Sequence, residues 1–240
     1  PEQSEIYVNE FLKNHGSSSI AEKGYGMTEN SSTAGVCLVG VNKINSLGIP
    51  LPLNTYGIFE RGTDKELKYG EEGEICITGP TEMLGYLDNE EEEGKVIKIH
   101  SDGKKWIHSE DVGIIDEDGF LFFKGRYKRL IPHGGFKLYP SYIEGIIMKH
   151  PDIDNCCVIS IPDKVYGASP EAHVVIKKDS VSELKKLKEE LIKLCQDKLP
   201  SYSQPEDFIF EEDLPLTSVG KVDYKKVEKM RIKKLEESTK

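Results

Sequence analysis

No apolar run in the sequence approaches the length of a bilayer span, and the N-terminus lacks the basic-then-apolar pattern of a secretory leader. No membrane span is therefore expected. Cysteine is sparse. Cys37, Cys76, Cys156, Cys157 and Cys195 are odd in number, scattered and without a CxxC pair. Neither a zinc ribbon nor a disulfide framework is indicated, and a reducing cytoplasm fits best. The histidines (His15, His100, His108, His133, His150 and His173) share no ligand spacing, so they are expected as surface or satisfied core residues. Cationic charge is in deficit: 32 Lys and Arg against 42 Asp and Glu leave a net charge of -10. That balance excludes general nucleic-acid affinity, which needs a basic face, so any phosphate site must be local. Internal repeats and low-complexity linkers are also missing.

What is present is enough for a core: 240 residues, 37% hydrophobic, suffice for one large or two small domains. One stretch stands out against the acidic background. KGRYKRLIPHGGFK (124–137) places five cationic side chains and three glycines directly after a hydrophobic strand, which suggests a local anionic partner.

The chain begins abruptly on a helix already under way, expected to turn Ile6, Val8, Phe11 and Leu12 inward and to stop at Gly16. From Gly35 to about Phe123 short strands dominate. In GEICITGP, Ile75 and Ile77 alternate with Glu74, Cys76 and Thr78, and IIDEDGFLFF carries an Asp118-Gly119 hairpin turn. The acidic run 88–94 is expected as a solvated helix or loop. After Arg126 helices and strands alternate. PSYIEGIIMKH is helical with Pro140 in its first turn, and NCCVISI and EAHVVIK are buried strands. Leu184, Leu187, Leu191 and Leu194 mark an amphipathic helix, DFIFEE another strand, and the lysine-rich end a solvated helix. Trp106 is expected as a packing anchor. Cys156 and Cys157, on opposite faces of a strand, are not expected as nucleophiles. The pattern gives an α/β chain of the α+β type: a β-rich region over 1–127 and a compact α+β unit over 128–240.

Four segments recur in order: GYGMTE (24–29), GEICITGPTEMLGYL (73–87) with HSEDVGIIDEDGFLFFKGR (108–126), GGFKLYPSYIE (134–144) and PLTSVGK (215–221). Together they resemble the C-terminal half of the adenylate-forming superfamily, which comprises acyl- and aryl-CoA synthetases, nonribosomal-peptide adenylation domains and luciferases. GYGMTE, with VNEFLKNHG before it, looks most like the acyl-CoA synthetase branch, with its place in fatty acid metabolism. The resemblance covers essentially the whole chain. It implies a β-rich remnant of a large AMP-binding domain followed by a small, mobile C-terminal domain.

The resemblance also implies roles. Tyr25 resembles the aromatic against adenine, Thr28 the hydroxyl donor to the α-phosphate, and Glu29 the carboxylate that holds Mg²⁺, a cation that prefers carboxylate and phosphate oxygens. Asp111 resembles the acceptor of both ribose hydroxyls, Phe123 a second residue against adenine, and Arg126 the arginine that reaches the ribose. Lys128 matches the hinge about which the small domain turns. Gly134 and Gly135, lacking Cβ atoms, would let backbone approach a thiol substrate closely. Lys137 is a candidate for the CoA phosphates or a solvated lysine. Lys221 matches the adenylation lysine, a mobile cation placed where two anions meet. Two positions depart from the family pattern. Glu110 stands where relatives have glycine, and Pro132 stands where many carry lysine, removing a charge and a backbone donor.

The superfamily's Ser/Thr/Gly-rich phosphate loop is not among these residues, and most of the acyl pocket would lie with it. The sequence is therefore expected to be the C-terminal portion of an ATP-dependent carboxylate:CoA ligase, an acid–thiol ligase inactive as this piece alone. Its implied small-molecule partners are a carboxylic acid, ATP (leaving AMP in the adenylate), Mg²⁺ and CoA. Two alternatives stay open: an enzyme that loads a carrier-protein phosphopantetheine, and a non-catalytic nucleotide-binding or interaction module.

Overall fold

The structure, a computed structural model, describes residues 2–178, 180 and 183–238. The chain divides into two compact units, Pro1–Lys128 and Arg129–Lys240.

The first unit opens with α1 (Glu2–Asn14). Gly16, at φ +76°, closes it, and the Ser17 amide returns to the Leu12 carbonyl at 2.9 Å. Of the expected inward face, Val8 and Phe11 are exposed, Leu12 is half-buried, and the Ile6 side chain lies outside the described residues. Asn9 makes the attachment instead, bonding the carbonyl and amide of Ala21 at 2.9 and 2.7 Å. Two side-chain-to-backbone bonds outweigh the weak apolar stripe.

A small antiparallel sheet follows: β1 (Gly24–Tyr25), β2 (Gly35–Val36) and β3 (Ile49–Pro50), in that order. A larger antiparallel sheet contains β4 (Thr55–Phe59), β5 (Gly73–Thr78), β6 (Ile97–Ile99), β7 (Lys105–Ile115) and β8 (Leu121–Arg126). Strand β5 lies between β4 and β7, and the far edge of β7 is shared by β6 and then β8. The alternation in GEICIT suggests one wet face, yet all six residues of β5 are buried. Ile75 and Ile77 pack with Tyr25, Tyr56, Ile58 and Leu121, while Cys76 packs on the opposite side with Phe59 and Trp106. A central strand covered on both faces still alternates, because its two faces bury different chemistry. The β7–β8 turn uses Gly119 at φ +84°, and the Asp116 side chain accepts the amides of Asp118 and Phe120. The acidic run forms α2 (Glu90–Val96), capped by Asn89 and exposed, with glutamates at its N-terminal end and Lys95 paired to Glu91 and Glu92.

The second unit begins with the hairpin β9 (Ile131–His133) and β10 (Phe136–Leu138), followed by α3 (Pro140–Ile147). Strands β11 (Ile153–Asp163), β12 (Gly167–Ile176) and β13 (Asp207–Glu211) form a sheet in chain order. The β12–β13 pair is parallel, so a crossover is required, and α4 (Leu184–Lys198) lies within it. One sheet face packs Cys156 and Val158 against Ile143, Ile147, Leu187 and Leu191; the other packs Cys157 and Ile159 against Leu214 and Val227. In α4 the seam runs through Leu187, Leu191 and Cys195, while Leu184 is exposed at the first turn. The last helix, α5 (Tyr224–Ser238), is docked as well as solvated. Val227 is buried, and Arg231 grips the buried Glu171 through Nε and Nη2 at 2.7 and 2.8 Å. Among the described residues no helix is long and apolar enough to cross a membrane.

Candidate active site

The GYGMTE segment leaves β1 through a tight turn. Gly26 is required by a close approach, since a Cβ there would lie 1.9 Å from the Ser32 carbonyl oxygen. Asn30 Oδ1 accepts the Met27 amide at 2.7 Å and so fixes the single helical turn Thr28–Asn30. The turn leaves Thr28 exposed and Glu29 half-buried. Glu29 Oε1 accepts the Tyr86 hydroxyl at 2.6 Å, and the Glu29 carbonyl accepts the Met83 amide at 2.7 Å. Burial and this bond to a carboxylate push the Tyr86 phenol up to about 12. Oε2 of Glu29 carries no bond among the described residues, so the carboxylate has room for a hard cation such as Mg²⁺.

Asp111 is the electrostatic centre of this unit. It is buried on β7, directly opposite Arg126 of β8. The Tyr25 hydroxyl donates to Oδ2 at 2.9 Å. Arg126 Nε lies 2.8 Å from Oδ1, close enough for an ion pair but not aligned as a hydrogen bond, so Oδ1 keeps an unfilled acceptor. Burial pushes the Asp111 carboxyl up, against the opposing pull of Arg126. Burial and the neighbouring Asp111 charge push the Tyr25 phenol up strongly. The Tyr25 ring meets Tyr56 edge-on at 6.0 Å, and the half-buried Phe123 packs against the same cluster. Oδ1 is shielded from solvent, and the exposed Arg126 guanidinium beside it offers the accessible polar group of the pair.

The backbone at Asp111 is irregular, and its cause lies far away in sequence. Cys76 of β5 faces His108 and Glu74 faces Val112, so Ile75 alone spans Ser109, Glu110 and Asp111. This is a bulge. Glu110 sits at φ +57°, a left-handed conformation that disfavours side-chain-bearing residues by about 1–2 kcal/mol. The position where relatives of the resembled family have glycine is thus the one where glycine would be least strained. Ser109 Oγ donates to the Ile75 carbonyl at 2.6 Å and accepts the Asp111 amide at 3.0 Å. The Glu110 amide donates to Glu74 Oε1 at 3.1 Å.

Sequence reasoning missed this role of Glu74, and no local signal marks it. Its other oxygen accepts the Gly62 amide at 3.0 Å and His108 Nδ1–H at 2.9 Å. Burial opposes ionisation of Glu74, but these bonds prevail and hold the carboxyl below its usual range. His108 Nε2 meets His100 Nε2 at 2.9 Å, and burial lowers His100, whose Nδ1 has no partner. Glu74, Cys76 and His108 also bring potential metal-ligand atoms within 4.8 Å of one another. The short His108–Glu74 contact is a hydrogen bond, and both Glu74 oxygens already accept backbone amides. Those bonds account for the cluster. Lys128, the last residue of the first unit, pairs with the Glu110 carboxylate.

In the second unit Gly134 and Gly135 form the hairpin tip at φ +55° and +89°. Pro132 faces Lys137 across the hairpin, and both are exposed. Beside the tip lies an open cavity of about 530 Å³ whose lining includes His133, Phe136, Tyr166 and Tyr202, with Phe136 stacked on Tyr202 at 4.2 Å. Lys221 is exposed on a narrow loop closed by the Thr217 amide to the Lys221 carbonyl at 2.7 Å, with Gly220 at φ +77°. Tyr25, Asp111, Phe123 and Arg126 are therefore gathered around one cluster, with Thr28 and Glu29 on the adjoining turn. Gly135 and Lys137 stand on the β9–β10 hairpin of the other unit, at its tip and on β10, and Lys221 on a separate loop.

Comparison with known proteins adds to this geometry. Residues 4–87 match the family described as AMP-binding enzyme, and residues 142–221 match the AMP-binding enzyme C-terminal domain. The chain is 32% identical over 206 residues to a long-chain-fatty-acid–CoA ligase of Escherichia coli O157:H7, covering 83% of this chain and 34% of that protein. It is 35% identical over 202 residues to a 2-succinylbenzoate–CoA ligase of Bacillus licheniformis, covering 83% and 40%. Among solved structures, the o-succinylbenzoate CoA synthetase of Bacillus subtilis in complex with its acyl-adenylate intermediate matches with a TM-score of 0.78 and 28% identity, over 92% of this chain and 43% of that one. The chain thus spans well under half the length of these relatives.

Proposed function

From the premise that the chain belongs to the AMP-binding enzymes, we propose that it is the C-terminal portion of an ATP-dependent carboxylate:CoA ligase. The ligase forms an acyl-adenylate and then an acyl-CoA thioester. The observation that carries this reading is the buried Asp111 carboxylate, held by the Tyr25 hydroxyl and charge-paired with the exposed Arg126, beside the cluster that Phe123 joins. A carboxylate–guanidinium pair next to aromatic rings suits a ribose and its base.

In this reading Asp111 and Arg126 hold the ribose, and Tyr25 acts through its hydroxyl on Asp111. Phe123 offers an apolar ring for the base. Thr28 donates to the α-phosphate, and Glu29 offers Oε2 to Mg²⁺, which would supply charge neutralisation at the phosphates. Lys221 places a cation where the attacking carboxylate meets the α-phosphorus, stabilising charge that grows toward the transition state. Its glycine-containing loop suits delivery by movement of the second unit about Lys128. Gly134 and Gly135 admit the CoA thiol arm, and Lys137 offers charge to its phosphates. The phosphate loop of the resembled family stands a long interval before its GYGMTE-like segment and is not among these 240 residues, so the isolated chain is expected not to adenylate. A cytoplasmic setting fits five buried cysteines that form no disulfide with one another.

The test is pyrophosphate release by the full-length protein against a panel of carboxylic acids, with CoA or a holo carrier protein as acceptor. Release that depends on one acid and turns over with CoA supports the ligase and names its substrate. Turnover only with the carrier protein would reassign the acceptor. Nucleotide binding without turnover across the panel would leave a non-catalytic module.

A further inference from the structure

The bulge at Ser109, Glu110 and Asp111 separates two kinds of residue. Asp111 carries the proposed ribose contact, whereas Glu74 lies on the neighbouring strand and shares no hydrogen bond or ion pair with Asp111 among the described residues. Yet the backbone of the bulge is tied to Glu74. The Glu110 amide, donated by a residue in the left-handed region, ends on Oε1 of Glu74. Oε2 is held by the Gly62 amide and by His108 Nδ1–H. Glu74, His108 and Asp111 are each buried to at least nine-tenths, and the half-buried Glu110 gives its amide to this buried carboxylate. On the other side of the bulge, Ser109 Oγ ties the Asp111 amide to the Ile75 carbonyl.

We propose that Glu74 is a positioning residue for nucleotide binding: its buried carboxylate holds Glu110 in the left-handed bulge and so fixes where Asp111 and its Arg126 partner stand. The proposal rests on the nucleotide reading of Asp111 given above. An ionised carboxylate is needed because Glu74 meets three donors from two directions. An amide at this position turns an N–H toward either the Glu110 amide or the Gly62 and His108 pair, and loses an acceptor on that side. Glycine at position 110 adopts a positive φ without a tether. The bulge should therefore become less dependent on Glu74 when Glu110 is replaced by glycine.

The experiment compares wild type with Glu74→Gln, Glu110→Gly and the double variant, with Asp111→Asn as the control for nucleotide binding. In the full-length protein, AMP affinity is measured together with KM for ATP and kcat. Hydrogen exchange of the backbone amides is measured on the same samples. Glu74→Gln is expected to weaken AMP binding and raise KM for ATP by about tenfold, the loss of one charge-assisted bond, with kcat much less affected. Exchange should accelerate at residues 109–111 and not across β4 and β5. The double variant should return to within about threefold of Glu110→Gly, because the tether is then no longer required.

If Glu74→Gln leaves AMP affinity and exchange at 109–111 unchanged while Asp111→Asn abolishes binding, the positioning role is overturned. It is equally overturned if the double variant is as impaired as the sum of its parts. Should Glu74→Gln not fold, the double variant decides: a folded protein with affinity near that of Glu110→Gly supports the tether, and failure of both to fold refutes it. If even wild type binds no nucleotide, the ligase reading fails, and exchange alone judges the tether: faster exchange confined to 109–111 supports it, and no change rejects it.

Discussion

Asp111 concentrates the residue-scale chemistry, because one buried carboxylate is asked to stay ionised with a phenol on one oxygen and a cation near the other. Burial raises its protonation range, and Arg126 only partly offsets this. A ribose hydroxyl needs the ionised acceptor, so AMP affinity should fall on acidification from a higher pH than an ordinary aspartate would dictate. Asp111→Asn should flatten that dependence and lower affinity about tenfold to a hundredfold, as judged by AMP titration across the acid range. The stability linkage has the opposite sign for the two buried acids of this region. Asp111, raised in the folded state, detracts from stability as pH climbs from its unfolded value through its folded one. Glu74, lowered in the folded state, contributes stability above its unfolded value that is lost as pH falls through the folded one. Asp111, Arg126 and Lys221 could be singled out as candidates from the sequence because each sits inside a linear motif. The tether on Glu110 was not, because Glu74 lies 36 residues away and reaches it only through strand pairing.

At the scale of elements, the turn after β1 and the helix α4 show two ways in which local sequence meets tertiary demand. The turn tolerates only glycine at position 26, where an added Cβ would meet the Ser32 carbonyl at 1.9 Å. Gly26→Ala should destabilise the first unit by about 1–3 kcal/mol and weaken AMP binding through Thr28 and Glu29, as read by denaturant unfolding and titration. In α4 the leucine spacing correctly marks a buried seam, and Leu191 is fully buried within it. Leu191→Ala should cost about 2–5 kcal/mol in the second unit, with hydrogen exchange there accelerating while β5 and β7 keep their protection. Periodicity failed where hydrogen bonds or strand order overrode it. In α1 Asn9, not the apolar stripe, makes the attachment, and in β5 the apparent polar face is buried because a strand covers each edge and side chains cover each face.

At the scale of the whole molecule, the two units carry separate cores and separate parts of the proposed chemistry. The proposed nucleotide contacts belong to the first unit, and Lys221, the proposed adenylation lysine, and the proposed CoA-facing hairpin to the second. A reaction in two halves can then be dissected by removing one cation. In the full-length protein, Lys221→Ala should slow adenylation by at least about a hundredfold while sparing thioester formation from supplied acyl-adenylate. Equal loss of both half-reactions would contradict the role given to Lys221.

The sequence by itself determined the kinds of element, the turn chemistry and the residues able to bear charge on a nucleotide, because helical period, strand alternation and glycine placement are local properties of the chain. It also marked Glu110 as unusual, without saying what conformation that residue would take. Only the tertiary structure decided that Glu110 is left-handed, that Glu74 bonds its amide, and that Asp111 is buried between Tyr25 and Arg126. Those outcomes depend on the register of β5 against β7 and of β7 against β8. Register is set by the summed packing and hydrogen bonding of residues distant in the chain, and no local pattern contains that sum.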